Sequence, residues 1–348
     1  MAFQFHSPEA ILTRAWIRRG ILAWLLWPIS LLFHLLTAFR RSLFRSGVLK
    51  TTRLPVPVIV VGNVFIGGTG KTPLVIWLAD ALRQSGHAPG IISRGHGAAS
   101  NVPRLVQSDS PPEVVGDEPL LIAQRTRVPV AVGRNRPSAA RTLLDVYPEV
   151  DVIISDDGLQ HYALERDIEI VLFDARGAGN GWLLPAGPLR EPASRRRDFT
   201  VINADRVSPG MPADAVRMHL AGEIAERLID RSQRVALRSL PEFAGADGAP
   251  RIVAAAGIGN PARFFAMLRG AGLRFEEMPL PDHYSFEQNV FAGLPADIIL
   301  ITEKDAVKCS RIDTLKTDPR LWVVPVTAHI DGALAEKLLE KLRGYPTA

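Results

Sequence analysis

Apolar β-branched runs alternate along the chain with segments whose apolar residues recur every three or four positions. Such runs are typical of buried strands in a parallel sheet, and the periodic segments are typical of helices that pack on it. We predict strands at residues 56–61, 89–93, 128–132, 150–154, 168–174, 251–256, 296–301 and 321–326. We predict helices at 74–82, 119–125 and 137–146, and alternating helical and loop segments across the stretch 205–250. This order of elements predicts an α/β fold.

A longer apolar segment comes first: residues 21–39 are uncharged and mostly apolar. As a helix they would be roughly 28 Å long, about the thickness of a bilayer's hydrocarbon core. Pro28 and the arginines at both ends argue against a helix that crosses the membrane completely. A cleaved signal peptide is disfavoured because no cleavage site of small residues follows the segment. One stripe of the helix is polar, with Ser30, His34, Thr37 and Arg41 at helical spacing. This stripe favours an interfacial membrane anchor over the alternatives of a span and a plain buried helix.

Composition and charge narrow the class of protein. The 348 residues, 47% hydrophobic and 22% charged, have room for two globular domains. The first 50 residues hold seven Lys and Arg side chains and one Glu, so the net charge of +5 originates there. The rest of the chain therefore gives no indication of nucleic-acid binding. A single cysteine, Cys309, excludes an internal disulfide framework and a thiolate metal cluster.

A glycine-rich turn, residues 62–73, connects the first predicted strand to the first helix of the α/β region. Glycines let backbone N–H groups close around phosphate oxygens, and a helix N-terminus adds its positive dipole end. We predict that nucleotide phosphates bind to Gly67, Gly68, Thr69, Gly70, Lys71 and Thr72. Lys71 would reach the β and γ phosphates, and the Thr72 hydroxyl would ligate Mg²⁺. The strict phosphate-loop pattern has glycine where this chain has Phe65.

Two pairs of acids are candidates for the chemistry. Asp156 and Asp157 follow an apolar strand, at the sheet edge where α/β proteins bind ligands, and they could hold Mg²⁺ or its water shell. Asp117 and Glu118 open a predicted helix. They are either N-terminal capping residues or a catalytic base beside a carboxylate of the metal shell.

An arginine-bearing loop, residues 187–192, follows a later strand. Arg190 would stabilise a transferring phosphoryl group, or else it belongs to a solvated basic loop. A nucleotide-dependent switch and a non-catalytic membrane scaffold are alternative functions. The guanine-reading pattern Asn-Lys-x-Asp does not occur, because residues 303–305 (Glu-Lys-Asp) have the wrong spacing.

Taken together, these motifs resemble the tetraacyldisaccharide 4'-kinase family of lipid A biosynthesis. The resemblance covers nearly the whole chain. It rests on the N-terminal helix and on GGTGKTP at 67–73, SRG at 93–95, GDEP at 116–119, GRNR at 133–136, DDGLQH at 156–161, GPLRE at 187–191, GIGNP at 257–261, DHY at 282–284 and TEKDA at 302–306. Phe65 is normal for that family, whereas His96 stands where the family usually has tyrosine.

The resemblance implies a P-loop NTPase-type parallel-sheet lobe, a second and smaller α/β lobe, and an N-terminal hydrophobic membrane-anchor helix. We expect an anchor segment at 1–50, a kinase domain at 51–235 and a C-terminal α/β domain at 236–348. The implied activity is transfer of the γ-phosphate of ATP to a sugar hydroxyl of an acylated glucosamine disaccharide 1-phosphate, at the cytoplasmic face of the inner membrane. No protein partner is predicted.

The resemblance also implies residue roles. Asp117 would accept the proton of the sugar hydroxyl, with His283 orienting or charging it as the second member of a dyad. Lys71 would hold phosphate, and Arg190 would balance phosphate charge. The Mg²⁺ ligands or their water shell would come from Thr72, Glu118, Asp156 and Asp157.

Overall fold

The computed structural model describes residues 16–95, 102–204, 211–240 and 250–344. His96, the position that differs from the resembled family, lies outside these ranges. In the described part, the strands are β1 Val58–Asn63, β2 Pro89–Ser93, β3 Arg104–Leu105, β4 Val130–Val132, β5 Val152–Asp156, β6 Ile168–Asp174, β7 Phe199–Asn203, β8 Val216–Ala221, β9 Ile224–Arg227, β10 Arg234–Ala236, β11 Ile252–Ala256, β12 Glu276–Pro279, β13 Ile298–Thr302, β14 Leu321–Val324 and β15 Thr327–Ile330.

The helices of the same ranges are α1 Ile21–Arg45, α2 Lys71–Gln84, α3 Pro112–Val115, α4 Asp117–Thr126, α5 Arg136–Val146, α6 Pro261–Gly270, α7 Glu303–Cys309, α8 Asp313–Lys316 and α9 Ala333–Leu342, with one 3₁₀ turn at Leu237–Ser239. Strands and helices alternate through most of the chain. The predicted α/β class is confirmed.

The larger sheet has the strand order β15-β8-β7-β6-β1-β5-β2-β4-β3. Its centre is parallel, with β1 between β5 and β6, while β15 and β3 pair antiparallel at the two edges. All six residues of β1 are buried, as expected for a strand covered by helices on both faces. The carboxyl ends of β1, β5 and β6 therefore meet at one edge of the sheet.

A second sheet has the strand order β10-β9-β14-β13-β11-β12. Its strands β12, β11, β13 and β14 are parallel, and β9 and β10 add an antiparallel edge. Helix α6 begins at Pro261 with Asn260 as its N-cap residue, as predicted. Proline at the first helical position costs nothing, because that residue's N–H would have no partner within the helix.

The stretch 205–250 differs from the prediction of helical and loop segments, since it contains β8, β9 and β10. These strands are short and lie at or beside sheet edges, so their apolar pattern is weak. The chain changes sheet between Ala221 and Ile224, before the boundary expected at residues 235 and 236. Strand β15 then returns to the larger sheet. The three-part division of the chain stays a proposal about folding units.

Helix α1 continues through Pro28 and extends beyond the predicted end, to Arg45. Its length and composition would allow it to cross a membrane, and about a ninth of its apolar window is buried (11%). Ile21, Leu25 and Leu35 are 82%, 71% and 65% exposed. A plain buried helix is therefore the wrong interpretation of this segment.

Candidate active site

A cavity of about 720 Å³ opens between the two sheets. The phosphate loop forms one wall, and the turn before α6 together with residues 282–283 and 302–304 forms the opposite wall. Predicted site residues that line it are Gly67, Gly68, Thr69, Gly70, Lys71, Thr72, Glu118, Asp157, Arg190 and His283. Asp117 and Asp156 are buried, at 6% and 3% exposure.

The phosphate loop turns sharply at Gly70, the N-cap residue of α2, whose φ is 98°. A Cβ atom at this position would lie 2.6 Å from Nδ2 of Asn203. That amide donates a hydrogen bond to the carbonyl of Thr69 over 2.9 Å. Glycine is therefore required at residue 70 both by the left-handed backbone and by the close approach of Asn203.

Asn63, the last residue of β1, organises the charged groups beside the loop. Its Oδ1 accepts hydrogen bonds from Nζ of Lys71 over 2.8 Å and from Nη2 of Arg190 over 2.6 Å. Both terminal nitrogens of Arg190 also donate hydrogen bonds to the carboxylate of Asp157, over 3.1 and 3.0 Å. Two cations and one carboxylate are thus held at the phosphate end of the cavity, where a nucleotide's negative charge would lie.

Asp157 sits in a turn with a left-handed backbone, φ 49°. Burial would raise the pKa of its carboxyl, but the charges of Lys71 and Arg190 outweigh burial and hold that pKa far below its usual range. A strained, ionised carboxylate at this place is typical of a functional site rather than of an ordinary turn.

Its neighbour Asp156 has the opposite electrostatics. Burial, together with the negative charge of Glu118, raises the pKa of Asp156 to about 6. Its Oδ2 accepts a hydrogen bond from the Ser93 hydroxyl over 3.1 Å, and its main-chain carbonyl accepts one from the buried Arg136 over 2.6 Å. Among the described atoms, Oδ1 of Asp156 has no hydrogen-bond partner. The carboxylate therefore retains one free oxygen for a ligand.

Across the cavity, His283 Nδ1 lies 3.0 Å from Oδ2 of Asp117. Burial would raise the pKa of Asp117, but the hydrogen bond with His283 and the charges of Lys304 and Lys308 lower it to about 2. The same hydrogen bond raises the pKa of His283. His283 has a left-handed backbone, φ 58°, which directs the residue from a turn of the second lobe toward α4. The pair joins the first turn of a helix on one sheet to a turn on the other.

Lys304 also bridges the two sheets. Its Nζ lies 3.1 Å from Oε1 of Glu118, 3.4 Å from Oδ1 of Asp282 and 3.4 Å from Nε2 of His283. Burial would lower the pKa of Lys304, but the carboxylates around it raise that pKa above its usual range. Glu118 is therefore ion-paired rather than free.

Two further contacts join the two lobes beside the cavity. Arg263 of α6 donates to Oδ2 of the buried Asp174, at the end of β6, over 3.1 Å. A Cβ atom at Gly259 would lie 3.2 Å from the backbone nitrogen of Gly68. The backbone of the second lobe at Gly259 therefore packs directly against the backbone of the phosphate loop at Gly68.

The structure brings every predicted site residue to this cavity or directly behind it. Asp117 is the first residue of α4, and Thr72 is the second residue of α2. Sequence reasoning missed Asn63, Asn203, Arg136 and the pair Asp174–Arg263. A usable signal existed for Asn63, Asn203 and Asp174, because each is a polar residue that ends an apolar parallel strand.

Comparisons with known proteins agree with this architecture. The family model described as tetraacyldisaccharide-1-P 4'-kinase (LpxK) matches residues 22–343. A tetraacyldisaccharide 4'-kinase of Janthinobacterium sp. (strain Marseille) is 62% identical over 350 residues, covering 100% of both chains. One from Methylobacillus flagellatus is 49% identical, covering 94% of this chain and 96% of the relative.

A solved structure has the same fold. The crystal structure of LpxK from Aquifex aeolicus in complex with ATP superposes with a TM-score of 0.76 at 29% identity. The match covers 92% of this chain and 99% of that one. On this evidence the chain belongs to the tetraacyldisaccharide-1-phosphate 4'-kinase family.

Proposed function

We propose that this protein is an ATP-dependent lipid kinase. It transfers the γ-phosphate of ATP to the 4'-hydroxyl of a tetraacylated glucosamine disaccharide 1-phosphate, which gives the lipid IVA-type product of lipid A biosynthesis. Family membership and the relatives' shared name support this activity. The observation that carries it in the structure is the hydrogen bond between Asp117 and His283, because the His283 side chain lines the same cavity as the phosphate loop.

The nucleotide end of the cavity would hold ATP. Backbone N–H groups of the loop from Gly67 to Gly70 and the N-terminus of α2 provide donors and a positive dipole end for phosphate oxygens. Lys71, already fixed by Asn63, would contact the β and γ phosphates. Arg190 would offset the negative charge on the transferring group, because a loose phosphoryl transition state depends on cations and alignment.

The carboxylates suit a divalent cation. No group of three or more His, Cys, Asp or Glu side chains within the described ranges could hold a metal alone. Mg²⁺ keeps several waters and takes one or two carboxylates plus substrate phosphates. The free, buried Oδ1 of Asp156 fits such an ion. We assign Thr72, Asp156, Asp157 and Glu118 to the ion and its water shell together, so that one or two of the carboxylates would bind Mg²⁺ directly and the others would bind its waters. The ion would neutralise charge on the phosphates.

The acceptor end is built around Asp117. The new bond joins the sugar 4'-oxygen to the γ-phosphorus, the bond from that phosphorus to the β-bridging oxygen breaks, and ADP leaves. The hydroxyl proton passes to a carboxylate oxygen of Asp117. With a pKa of about 2 this carboxylate is ionised at neutral pH and has a free charge to orient the hydroxyl, but so low a pKa makes it a weak base, so the proton moves to it only as the new P–O bond forms. His283 orients it through the 3.0 Å hydrogen bond.

The exposed apolar face of α1 would bring this site to its substrate. Acyl chains are embedded in the bilayer, so the enzyme must work at a membrane surface. Leu25 and Leu35 lie on the exposed face, and arginines flank the helix. We place the protein at the cytoplasmic face of the bacterial inner membrane, where ATP is available.

Label transfer tests the proposal. Detergent-solubilised protein is incubated with γ-labelled ATP, Mg²⁺ and the tetraacyl disaccharide 1-phosphate, beside a Lys71→Ala control. We expect label in the lipid with the wild type and none with the control. Release of labelled phosphate without labelled lipid would instead support a nucleotide-dependent switch.

A further inference from the structure

Helix α1 and the turn before it form hydrogen bonds and an ion pair with one segment of the body, residues 180–191, which we call the linking segment. The Ser30 hydroxyl donates to the carbonyl of Leu183 over 2.7 Å, and the Trp16 indole donates to the carbonyl of Pro185 over 2.9 Å. At the other end of the helix, Arg41 pairs with Glu191 over 2.9 Å. Part of the polar stripe of α1 therefore faces the body and not the solvent.

The opposite side of the linking segment is hydrogen-bonded to the phosphate loop. The backbone N–H of Ile66 donates to the carbonyl of Pro188 over 2.9 Å, and the N–H of Arg190 donates to the carbonyl of Val64 over 2.8 Å. Phe65 forms a β-bridge with Leu189 between these two bonds. The linking segment is thus bonded to the helix on one side and to the nucleotide site on the other.

Glu191 lies where these contacts meet, and it is 2% exposed. Besides Arg41 it accepts a hydrogen bond from the Tyr162 hydroxyl over 2.6 Å, and Arg195 lies 3.6 Å away. The preceding residue, Arg190, holds Asp157 with two hydrogen bonds. Arg41 is the nearer of the two cations beside Glu191, and a buried carboxylate is costly when its charge is only partly compensated. Removing Arg41 should therefore disturb the backbone that carries Arg190.

We propose that Glu191 is a positioning residue that couples the seating of helix α1 to the phosphate loop and Arg190. The ion pair with Arg41 fixes Glu191 relative to helix α1. The linking segment's two backbone hydrogen bonds then fix residues 64–66 relative to Glu191. Binding of helix α1 to a membrane would then stabilise the arrangement in which the phosphate loop and Arg190 are correctly positioned for the nucleotide. The effect on catalysis rests on the proposed kinase function, because Arg190 acts there on the transferring phosphate.

Arg41→Ala tests the coupling, with Arg45→Ala as its matched control. Both changes remove one arginine from the last turns of the same helix, but the Arg45 side chain makes no hydrogen bond or ion pair with another described residue. The assay measures kcat at saturating ATP and lipid. Arg41→Ala should lower kcat about tenfold, because small misplacement of aligning groups is costly in rate, and Arg45→Ala should not. Arg41→Lys should recover most of the loss.

A second measurement does not depend on kinase activity. Amide hydrogen exchange at Ile66 and Arg190 reports the two backbone hydrogen bonds directly. We expect faster exchange at both amides in Arg41→Ala and in Tyr162→Phe than in the wild type or in Arg45→Ala. A global loss of protection would mark unfolding, and Tyr162→Phe, which deletes only a hydroxyl, keeps the test decisive in that case.

The two proposals fail differently. If the wild type transfers no label to lipid while exchange at Ile66 and Arg190 still responds to Arg41→Ala, the kinase function is wrong and the coupling stands. If Arg41→Ala and Tyr162→Phe match Arg45→Ala in both kcat and exchange, the coupling is wrong.

Discussion

His283 Nδ1 and Asp117 Oδ2 are 3.0 Å apart, although the residues are 166 positions apart in the chain and belong to different lobes. Asp117 is the first residue of α4, and His283 lies in a left-handed turn after β12. The proposed catalytic dyad is therefore assembled by the tertiary structure, and we expect that neither residue functions fully without the other.

The first prediction concerns this pair. Asp117→Asn and His283→Ala should each lower kcat for lipid phosphorylation, since a positioned general base contributes roughly 100-fold to 10,000-fold to a rate. Asp117→Asn should have the larger effect, because it removes the proton acceptor itself. KM for ATP should change little in either variant. Unchanged kcat in both would rule out the dyad.

The second prediction concerns Gly70. Gly70→Ala places a Cβ on a left-handed residue, which costs about 1–2 kcal/mol, and directs it at the Asn203 amide. ATP affinity measured by calorimetry should fall. Gly270→Ala is the control, since a Cβ there would meet nothing within 4 Å. Equal ATP affinity in the two variants would contradict the proposed role of the loop.

The third prediction concerns the exposed face of α1. Leu25→Glu with Leu35→Glu should weaken sedimentation with anionic phospholipid vesicles and raise KM for the lipid substrate, while KM for ATP stays unchanged. Ile229→Glu, which changes another half-exposed apolar residue (51% exposed), should alter neither quantity. If the double variant still sediments with vesicles as the wild type does, α1 is not the membrane anchor.

The fourth prediction concerns pH and His161. Burial, assisted by the charges of Arg136 and Arg94, lowers the pKa of His161 to about 4. The unfolded chain binds a proton near pH 6.5 and the folded chain only near pH 4. Above pH 6.5 His161 is neutral in both states and does not lower the free energy of unfolding. As the pH falls from 6.5 to about 4, the unfolded chain binds a proton that the folded chain does not, so the free energy of unfolding decreases.

Measurements of chemical denaturation at pH 7 and pH 5 test this difference. His161→Gln should lose less stability between the two pH values than the wild type, by about 1 kcal/mol after allowance for partial solvent exposure. Equal losses in the two proteins would show that His161 titrates normally.

The sequence predicted those parts of the site that depend on local pattern. Phosphate-loop residues such as Lys71 follow a buried strand and open a helix, and Asp156 and Asp157 end the strand beside it, so parallel-sheet geometry brings them together. Contacts between lobes could not be predicted in this way. The hydrogen bond from Arg263 to Asp174 and the ion pair between Lys304 and Glu118 depend on how the two lobes pack. The pattern of apolar residues along the chain does not determine that packing.

The polar stripe of α1 illustrates the same limit. Its helical spacing predicted one polar face correctly, but spacing cannot say what that face contacts. In the structure, Ser30 and Arg41 bond to the linking segment, and the apolar face is the exposed one.

The position of the new phosphate on the lipid tests the proposed 4'-kinase activity. Wild-type protein, ATP, Mg²⁺ and the tetraacyl disaccharide 1-phosphate are incubated to completion, and the product is examined by phosphorus–proton correlation NMR. We expect a second phosphate coupled to the proton at carbon 4' of the distal sugar, together with ADP. A phosphate attached at any other carbon, or ADP formed with unmodified lipid, would contradict it.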